Sequence, residues 1–416
     1  MSGREQPTVK RGAALWSTEL VVVGLLTALT VLWTWPMATR WTSAVLGPPG
    51  DNLEYVWKLW WFKEAILTRG ATPFFNPDVF YPYGYPVALS ETTTAHTVLG
   101  LPLTALWGET AAYNSLMFFS FLLSGYGLYC LLREMGVTAY GATIGGIAFA
   151  LCPYRMSHLG AGHLPLMGTG WIPLLFWALE RLIKKPSVPR GLLVGLFYAL
   201  TALSSWYYAV MVAPFAALYL LLRARPWKDN LWPKKGEARI SRAAKLWASL
   251  AGGAVLGGLL VLPAALPILG LYGRGETGYD FSLRYVDQWS ASPLDLVYPN
   301  AMHPWWGEAL TRGYYQNINE NLVYLGWVAM ALAAIGVWRR GRGHWTRTWV
   351  VLGIIAVVLA LGTTLHWAGK PVYIRVPAGV EQQFSRAMYV LTGRLALNRV
   401  DYGPLRREGA IVVPLP

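Results

Sequence analysis

Charged residues are scarce in this chain. Asp, Glu, Lys and Arg make up 13% of its 416 residues and hydrophobic residues make up 55%, whereas a soluble domain has about 25% charged and about 45–50% apolar residues. This composition excludes an ordinary soluble domain. The apolar residues fall in blocks of about 20 residues, the length that a helix needs to cross a bilayer. Because the blocks lack the alternation of barrel strands, they predict an all-α, polytopic transmembrane bundle.

Cysteine is nearly absent, and so are the signatures of nucleotide and hydrolase chemistry. Cys130 and Cys152 both lie within apolar blocks, so neither a disulfide framework nor a cysteine-based metal site is expected. The sequence has no P-loop, dinucleotide-binding glycine motif, nucleophile elbow or HExxH motif. Acidic residues are outnumbered by Lys and Arg, 21 against 35. The charges cluster in short loops between apolar blocks, so they indicate membrane orientation, and no nucleic-acid partner is expected.

The apolar blocks give about nine candidate spans. They cover residues 15–36, 110–132, 138–154, 164–183, 190–206, 207–223, 245–271, 322–338 and 348–367. The first has no small-residue cleavage site after it, so we expect a retained span and not a signal peptide. We predict a transmembrane bundle over residues 1–367, with large outer loops at 37–109 and 272–321, and an extracytoplasmic segment over 368–416.

Lys and Arg are concentrated in alternate loops of this arrangement. The basic loops are 1–14, 133–137, 181–190, 223–245 and 339–347. Because basic loops remain in the cytoplasm, we expect a multi-pass protein of the plasma membrane with a cytoplasmic N-terminus. Most acidic residues and most histidines then lie on the extracytoplasmic side. Chemistry on that side has no access to a cytosolic nucleotide, which restricts the donor of any transferred group.

Two local patterns concern the packing of the helices. Segment 94–108 is short and contains Pro102, so it predicts a re-entrant or interfacial piece and not a span of its own. Glycines at four-residue spacing allow two helices to approach closely. The pairs with this spacing are Gly141 and Gly145, Gly191 and Gly195, and Gly253 and Gly257.

The stretch after the first span begins with Asp51 and is rich in tryptophan. Glu54 and Lys58 are four residues apart and can pair on a helix. Asp51 has two interpretations. It caps a helix that starts at Asn52, with Glu54 completing a capping box, or it is the main carboxylate of an active site. The apolar residues recur at helical spacing and predict an amphipathic helix in the plane of the membrane surface; they are Leu53, Val56, Trp57, Trp60, Ile66 and Leu67.

A short outer turn over residues 152–163 carries one arginine and two histidines. Arg155 opposes the charge bias of the outer side, which makes it a candidate for binding an anion such as a phosphate. His158 and His163 are five residues apart and can meet in a hairpin. Such a pair either ligates a metal or consists of hydrogen-bonded polar residues, and the sequence leaves both interpretations open.

Two further outer segments combine polar and aromatic residues. Loop 272–321 alternates acids, arginines and aromatic residues, and it includes Arg284, His303 and Glu320. This mixture is typical of carbohydrate and phosphate sites, and equally of a polar cap over the bundle. The tyrosines of residues 81–85 stand among prolines in a rigid loop. Sugar rings stack on such aromatic faces, and membrane-interface anchors have the same composition.

The order of several short motifs covers nearly the whole chain. After the first span come Gly50-Asp51, the aromatic helix, Tyr81-Pro82-Tyr83-Gly84, Pro153-Tyr154-Arg155-Met156-Ser157-His158, Gly162-His163-Leu164, Trp171-Ile172-Pro173-Leu174, Ser292-Pro293-Leu294-Asp295-Leu296, His303-Pro304 and Glu320-Asn321-Leu322-Val323-Tyr324-Leu325-Gly326. This order resembles the multi-pass GT-C-fold glycosyltransferases, and it looks most like the YfhO-like bacterial membrane proteins. Such proteins continue with more spans, so the chain is either a short member or a truncated one.

The resemblance implies a GT-C-like bundle that transfers a hexosyl or pentosyl group on the extracytoplasmic face. The donor would be a polyprenyl-phosphate sugar, and the acceptor a glycan, a lipid or a protein. The acidic residue of the first outer loop maps onto Asp51, as general base or metal ligand. A divalent metal is the one cofactor left open, and no second catalytic carboxylate is identified. The residues expected to bind substrates are Glu54, Glu91, His96, Tyr154, Arg155, His158, His163, Arg284, His303 and Glu320.

Two other classes of function compete with this enzyme. A transporter or flippase of a lipid-linked glycan requires charged residues near the midplane of its spans. The candidate spans contain few, and Glu19 and Glu180 lie close to span ends. A non-catalytic membrane assembly factor requires no site beside Asp51.

Overall fold

The computed structural model describes residues 8–224, 242–274, 289–299, 303, 305–311, 322–340, 343–391, 406–407 and 409–412. These residues are mostly helical, so the predicted all-α class is confirmed. The chain divides into two compact units, Met1–Glu276 and Thr277–Pro416, and each is described by itself. The predicted division at residue 367 concerns the membrane and stays a prediction.

The first unit consists of α-helices, with 3₁₀ and π-helical turns in the connections between them. Its 3₁₀ helices cover Met37–Thr39, Val87–Leu89 and Leu164–Gly170, and a π-helical turn covers Glu64–Thr68. The α-helices are α1 (Thr8–Trp33), α2 (Asp51–Lys63), α3 (Thr94–Glu134), α4 (Ala139–Ala150), α5 (Pro153–Ala161), α6 (Trp171–Lys184), α7 (Val188–Ser204), α8 (Trp206–Ala224) and α9 (Arg242–Gly273).

Within the described ranges, four helical segments are long and apolar enough to cross a membrane. They are Thr94–Glu134, Leu164–Lys184, Trp206–Ala224 and Arg242–Gly273. Shorter apolar helices cover Thr18–Trp33, Val188–Ser204, Trp327–Arg339 and His344–Ala360. This length and composition indicate a membrane protein.

Residues 94–108 form the first part of α3, and a break separates them from the predicted span that follows, as expected; their re-entrant or interfacial position stays a prediction. The helix continues past Pro102 and breaks at Gly108, where φ is 82° and ψ is 171°. Only glycine adopts such angles readily, so the break falls at Gly108 and not at the proline. The segment and the following span are therefore two helical parts joined by a kink.

Glycines bring α7 and α9 into backbone contact. A Cβ atom on Gly191 would lie 1.9 Å from the carbonyl oxygen of Ser249, and one on Gly195 would lie 1.9 Å from that of Gly253. Two of the three predicted glycine pairs thus form a close helix contact. The third predicted pair, Gly141 and Gly145, has only side-chain atoms nearby. The adjacent Gly146 makes the close backbone contact instead, with the carbonyl oxygen of Gly125.

A hydrophobic cluster fixes α2 onto α3 and onto the turn after α5. It contains Tyr55 and Leu59 of α2, Tyr113 and Met117 of α3, and Leu164. All of these side chains are buried. Leu53 and Trp60 on the other side of α2 are exposed, and so are Ile66 and Leu67 in the π-helical turn that follows. Helix α2 therefore packs with one face and presents an apolar second face outward.

The second unit combines helices with a few short strands. A 3₁₀ helix, Pro293–Leu296, begins with a capping box in which the Ser292 N–H donates to the Asp295 carboxylate at 2.7 Å. Helices follow at Gly307–Thr311, Trp327–Arg340, His344–Ala360 and Ala378–Leu391. Strands β1 (His366–Trp367) and β2 (Lys370–Pro371) form an antiparallel pair. Strands β3 (Tyr373–Arg375), β4 (Arg406–Arg407) and β5 (Ala410–Val412) form an antiparallel sheet in the order β3-β5-β4.

Candidate active site

Asp51 is the first residue of α2 and does not cap it. The residue before the helix is Gly50, and no side chain provides a capping hydrogen bond. The Asn52 side chain, and not that of Asp51, forms hydrogen bonds with the preceding loop. It accepts from the Gly50 N–H at 3.0 Å and donates to the carbonyl oxygen of Pro48 at 3.0 Å. The capping interpretation of Asp51 is therefore wrong, and its carboxylate is not used to start the helix.

The Asp51 carboxylate lies against the turn that follows α5. Its Oδ2 is 3.1 Å from Nε2 of His163, and the Asp51 side chain is 58% exposed while that of His163 is 13% exposed. Nδ1 of His163 lies 2.8 Å from Nδ1 of His158, which is fully buried. The two histidines meet, as their spacing suggests. Together the three side chains form a chain of hydrogen bonds from the surface into the protein.

Gly162 makes this approach of the turn to α2 feasible. Helix α5 ends at Gly162 in the left-handed conformation, with φ 76° and ψ 17°, a region that favours glycine. A Cβ atom there would lie 2.7 Å from the backbone nitrogen of Asn52. The Tyr113 hydroxyl donates to the carbonyl oxygen of Gly162 at 3.2 Å. This close approach of the two backbones places His163 beside Asp51. The sequence alone did not identify Gly162 as the residue that allows it.

The hydrogen-bond partners assign the ring hydrogens for the neutral form of His163. A carboxylate only accepts, so Nε2 of His163 donates to Asp51. Nδ1 of a neutral His163 is then an acceptor, and the hydrogen between the two rings belongs to His158. Burial, reinforced by the neighbouring His163 and Arg155, lowers the pKa of His158 to about 3. His158 is therefore an uncharged donor that orients His163.

Arg155 lies in the interior behind the histidines. Its guanidinium donates to the carbonyl oxygens of Ala150 and Met167 at 3.0 and 2.9 Å, and also to the hydroxyl groups of Ser120 and Thr169. The side chain is fully buried, and burial lowers its pKa to about 10. These contacts give Arg155 a structural role, and anion binding by it stays a prediction.

A second polar group lies on the inner face of α2. Nζ of Lys58 is 2.6 Å from Oε1 of Glu54 and 2.6 Å from the backbone carbonyl oxygen of Glu91. The predicted pairing of Glu54 and Lys58 is confirmed, but the Lys58 side chain is only 1% exposed. Burial lowers the pKa of Lys58, and the Glu54 carboxylate opposes this shift. The sequence suggested Lys58 only as a helix partner, although its position seven residues after Asp51 placed both on one side of α2.

Tyr55 lies on α2 between Asp51 and Lys58, and it is buried. Burial raises the pKa of its hydroxyl, and the charges of Glu91, Glu54 and Asp51 raise it further. The ammonium of Lys58 lies 4.8 Å from the centroid of the Tyr55 ring. Burial also raises the pKa of Glu91, whose Oε1 has no hydrogen-bond partner among the described residues. The charges of the predicted residues Asp51, Glu54 and Glu91 therefore all act on one buried tyrosine.

The structure also locates the other predicted site residues. The Tyr154 hydroxyl is 2.8 Å from that of Tyr208, and the Tyr154 ring meets the His158 ring edge-on with centroids 4.3 Å apart. His96 is buried, and its Nδ1 has no hydrogen-bond partner in the part of the chain that is described.

Three predicted site residues belong to the second unit. Nδ1 of His303 accepts from the backbone N–H groups of Trp305 and Trp306 at 3.4 and 3.3 Å. These bonds turn the His303 ring toward its own loop. Arg284 and Glu320 lie outside the described residues.

A divalent metal does not fit the residues present at Asp51. Such ions require several oxygen or nitrogen ligands converging on one point. Within the described ranges, no group of three or more His, Cys, Asp and Glu side chains could hold a metal ion. At this site the Asp51 carboxylate is bonded to His163 and that of Glu54 to Lys58. Among the described residues no ligand set for a divalent metal is found, and metal dependence stays a prediction.

Most of the chain matches one known protein family. Residues 21–388 match the family described as a domain of unknown function (DUF6311). The chain belongs to the DUF6311 family. No curated protein matches it. In this DUF6311 protein the matched region contains α2, the turn after α5 and all the contacts of Asp51 described above.

Proposed function

We propose that this DUF6311 protein is a GT-C-type membrane glycosyltransferase that moves a sugar from a polyprenyl-phosphate donor to an acceptor on the extracytoplasmic face. The observation that carries the proposal is the Asp51 carboxylate, which is half exposed and held by His163. An exposed carboxylate oriented by His163, which in turn contacts the buried His158, has the features of a general base.

Asp51 has a defined part in the proposed reaction. Its Oδ1, which His163 leaves open, accepts the proton of an acceptor hydroxyl. The hydroxyl oxygen forms a bond to the anomeric carbon while the bond from that carbon to the phosphate oxygen breaks. The lipid phosphate leaves with the bonding electrons. His163 holds Asp51 in one orientation and stabilises its negative charge through a charge-assisted hydrogen bond.

The outward face of α2 supports a lipid-linked substrate. Leu53 and Trp60 of α2 and Leu67 of the following π-helical turn are exposed. A helix with one packed face and one exposed apolar face suits the surface of a bilayer. The proposal includes about nine spans, a cytoplasmic N-terminus and a plasma-membrane location. The four long apolar helices and the distribution of Lys and Arg support these features.

The test is sugar transfer by purified protein in liposomes that contain polyprenyl-phosphate sugars and candidate acceptors. Asp51→Asn keeps the size of the side chain and removes the base, so we expect roughly a hundredfold to ten-thousandfold loss of kcat. Asp78→Asn is the matched control, because Asp78 is also exposed and pairs with Arg69 at 2.7 Å. Full activity of Asp51→Asn rejects the role of Asp51. Movement of labelled lipid across the bilayer without a product identifies a transporter instead.

A further inference from the structure

A cavity of ≈ 450 Å³ lies between the loop after α2 and the last turns of α9. Its walls are mostly apolar and aromatic, and nothing in the proposed transfer reaction uses it. Its size is in the usual range of small-molecule pockets, about 300–1,000 Å³. The lining residues are Phe74, Phe75, Tyr83, Gly84, Pro86, Ala88, Leu266, Pro267, Gly270, Leu271 and Arg274.

The loop side of the cavity is held in place by several contacts. Asn76 and Tyr85 exchange backbone hydrogen bonds at 2.8 and 2.7 Å. Gly84 has a φ of 77°, and a Cβ atom there would lie 2.3 Å from the Phe75 ring. Trp61 of α2 donates to the carbonyl oxygen of Pro73 at 2.8 Å. These contacts form a built wall, so the cavity is not a gap between loosely placed side chains.

The helix side of the cavity continues into an exposed apolar surface. Leu266 lines the cavity and is also 55% exposed. Leu262 and Leu269 of the same helix are exposed as well. Because α9 is a candidate membrane span, this surface faces lipid in a bilayer. The cavity lies at the last turns of this candidate span and next to this surface, so it opens beside the acyl chains of the adjacent lipid.

We propose that this cavity binds one acyl chain of a membrane phospholipid. An empty apolar cavity lacks contacts on its walls, and a hydrocarbon chain from the adjacent bilayer supplies them. The volume suits a single acyl chain, and it is too small for a polyprenyl chain of many isoprene units. The proposal requires only that α9 lies in a membrane and is independent of glycosyl transfer.

Photo-cross-linking in nanodiscs tests this site. The probe is a phosphatidylcholine with a diazirine near the end of one acyl chain, and mass spectrometry locates the adducts. We expect adducts on Phe74, Phe75 and Leu271 of the wild-type protein. Gly270→Phe fills the cavity, since a Cβ atom on Gly270 would meet no atom closer than 3.9 Å. Adducts at the three positions should fall roughly tenfold, the effect of about 1.4 kcal/mol of lost affinity.

Gly258→Phe is the matched control on the same helix. A Cβ atom on Gly258 would meet nothing within 4 Å, and this glycine is exposed away from the cavity. The control should label like the wild type. Ala88→Phe fills the cavity from the opposite wall and replaces Gly270→Phe if that variant does not fold. Undiminished labelling in a folded cavity-filling variant overturns the proposal. Preferential labelling by a diazirine-bearing polyprenyl phosphate also overturns it.

Discussion

At the scale of single residues, Asp51 differs from its acidic neighbours in what surrounds it. The carboxylates of Glu54 and Glu64 are bonded to the nearby cations Lys58 and Arg69. Asp51 has only the imidazole of His163 within hydrogen-bonding distance among its described neighbours. An imidazole orients the Asp51 carboxylate through one hydrogen bond, whereas Lys58 and Arg69 also offset the negative charges of their carboxylate partners. This difference selects Asp51 as the base.

Removal of the His163 donor tests this argument. His163→Leu leaves the Asp51 carboxylate unoriented, whereas His163→Gln retains a donor at the position of Nε2. A hydrogen bond to a charged group contributes about 1.5–3 kcal/mol, so kcat of His163→Leu should fall roughly 10- to 150-fold. We expect His163→Gln to keep most of the activity and both variants to keep their KM. Equal, wild-type activity of both variants would show that His163 has no part in transfer.

His158 gives a prediction for stability against pH. Its pKa falls from 6.5 to about 3 in the folded protein, so the unfolded state binds more protons between these values. Stability therefore rises with pH in this window, is complete above about pH 6.5, and is lost as the pH falls. At pH 5 the loss from His158 is about 2 kcal/mol.

His158→Asn keeps a donor in the position of Nδ1 but does not titrate. Melting temperatures of the wild type and this variant, measured from pH 7.5 to pH 4.5, give the contribution of His158 by difference. The decrease on acidification should be smaller in the variant. Parallel curves for the two proteins would mean that His158 titrates normally.

At the scale of elements, the contact between α7 and α9 depends on backbones that touch. Gly195→Ala places a methyl group only 1.9 Å from the Gly253 carbonyl oxygen. Overpacking of this kind typically costs about 1–3 kcal/mol, so the melting temperature should fall. Gly258→Ala on α9 is the control, because its methyl group meets nothing within 4 Å and alanine is the better helix former. The prediction is wrong if Gly195→Ala melts at or above the wild-type temperature.

The sequence predicted the elements better than their contacts. Apolar blocks and glycine spacing are local patterns, so they predicted the long helices and the close contacts of their glycines. They did not predict that α7 and α9 are the helices that meet. The predicted apolar face of α2 was right only in part. Leu53 and Trp60 are exposed, whereas Val56 and Trp57 are half-buried against the core clusters. The burial of Lys58 and Arg155 depends on acceptors distant in the chain, such as the Glu91 and Met167 carbonyl oxygens. No local pattern contains that information, which is why both residues were expected at an accessible site or surface.

Contacts between residues distant in the chain also determine the Asp51 site. The spacing of His158 and His163 predicted that they could meet. Their contact with Asp51 depends on Gly162, which allows the turn after α5 to approach the start of α2. The capping interpretation failed for a related reason, since Asn52 holds the preceding loop through Gly50 and Pro48. Both details follow from tertiary packing and not from helix propensity.

At the scale of the whole molecule, the proposed function requires one orientation in the membrane. The donor lipid and Asp51 must share the extracytoplasmic side, and the basic loop after α6 must face the cytoplasm. Thr72 lies in the loop after α2, and Lys185 lies directly after α6; both side chains are exposed. A cysteine at either position therefore reports the side of its own loop.

Thr72→Cys and Lys185→Cys, each in a background of Cys130→Ser and Cys152→Ala, test this orientation. A membrane-impermeant maleimide applied to intact cells should label Thr72→Cys, while Lys185→Cys should react only after permeabilisation. The asymmetry follows from the Lys and Arg content of the loop after α6, which resists translocation. Labelling of Lys185→Cys alone in intact cells would place Asp51 in the cytoplasm. A donor on the outer face would then be out of reach, and the proposed transfer reaction would be excluded even if Asp51 proved essential.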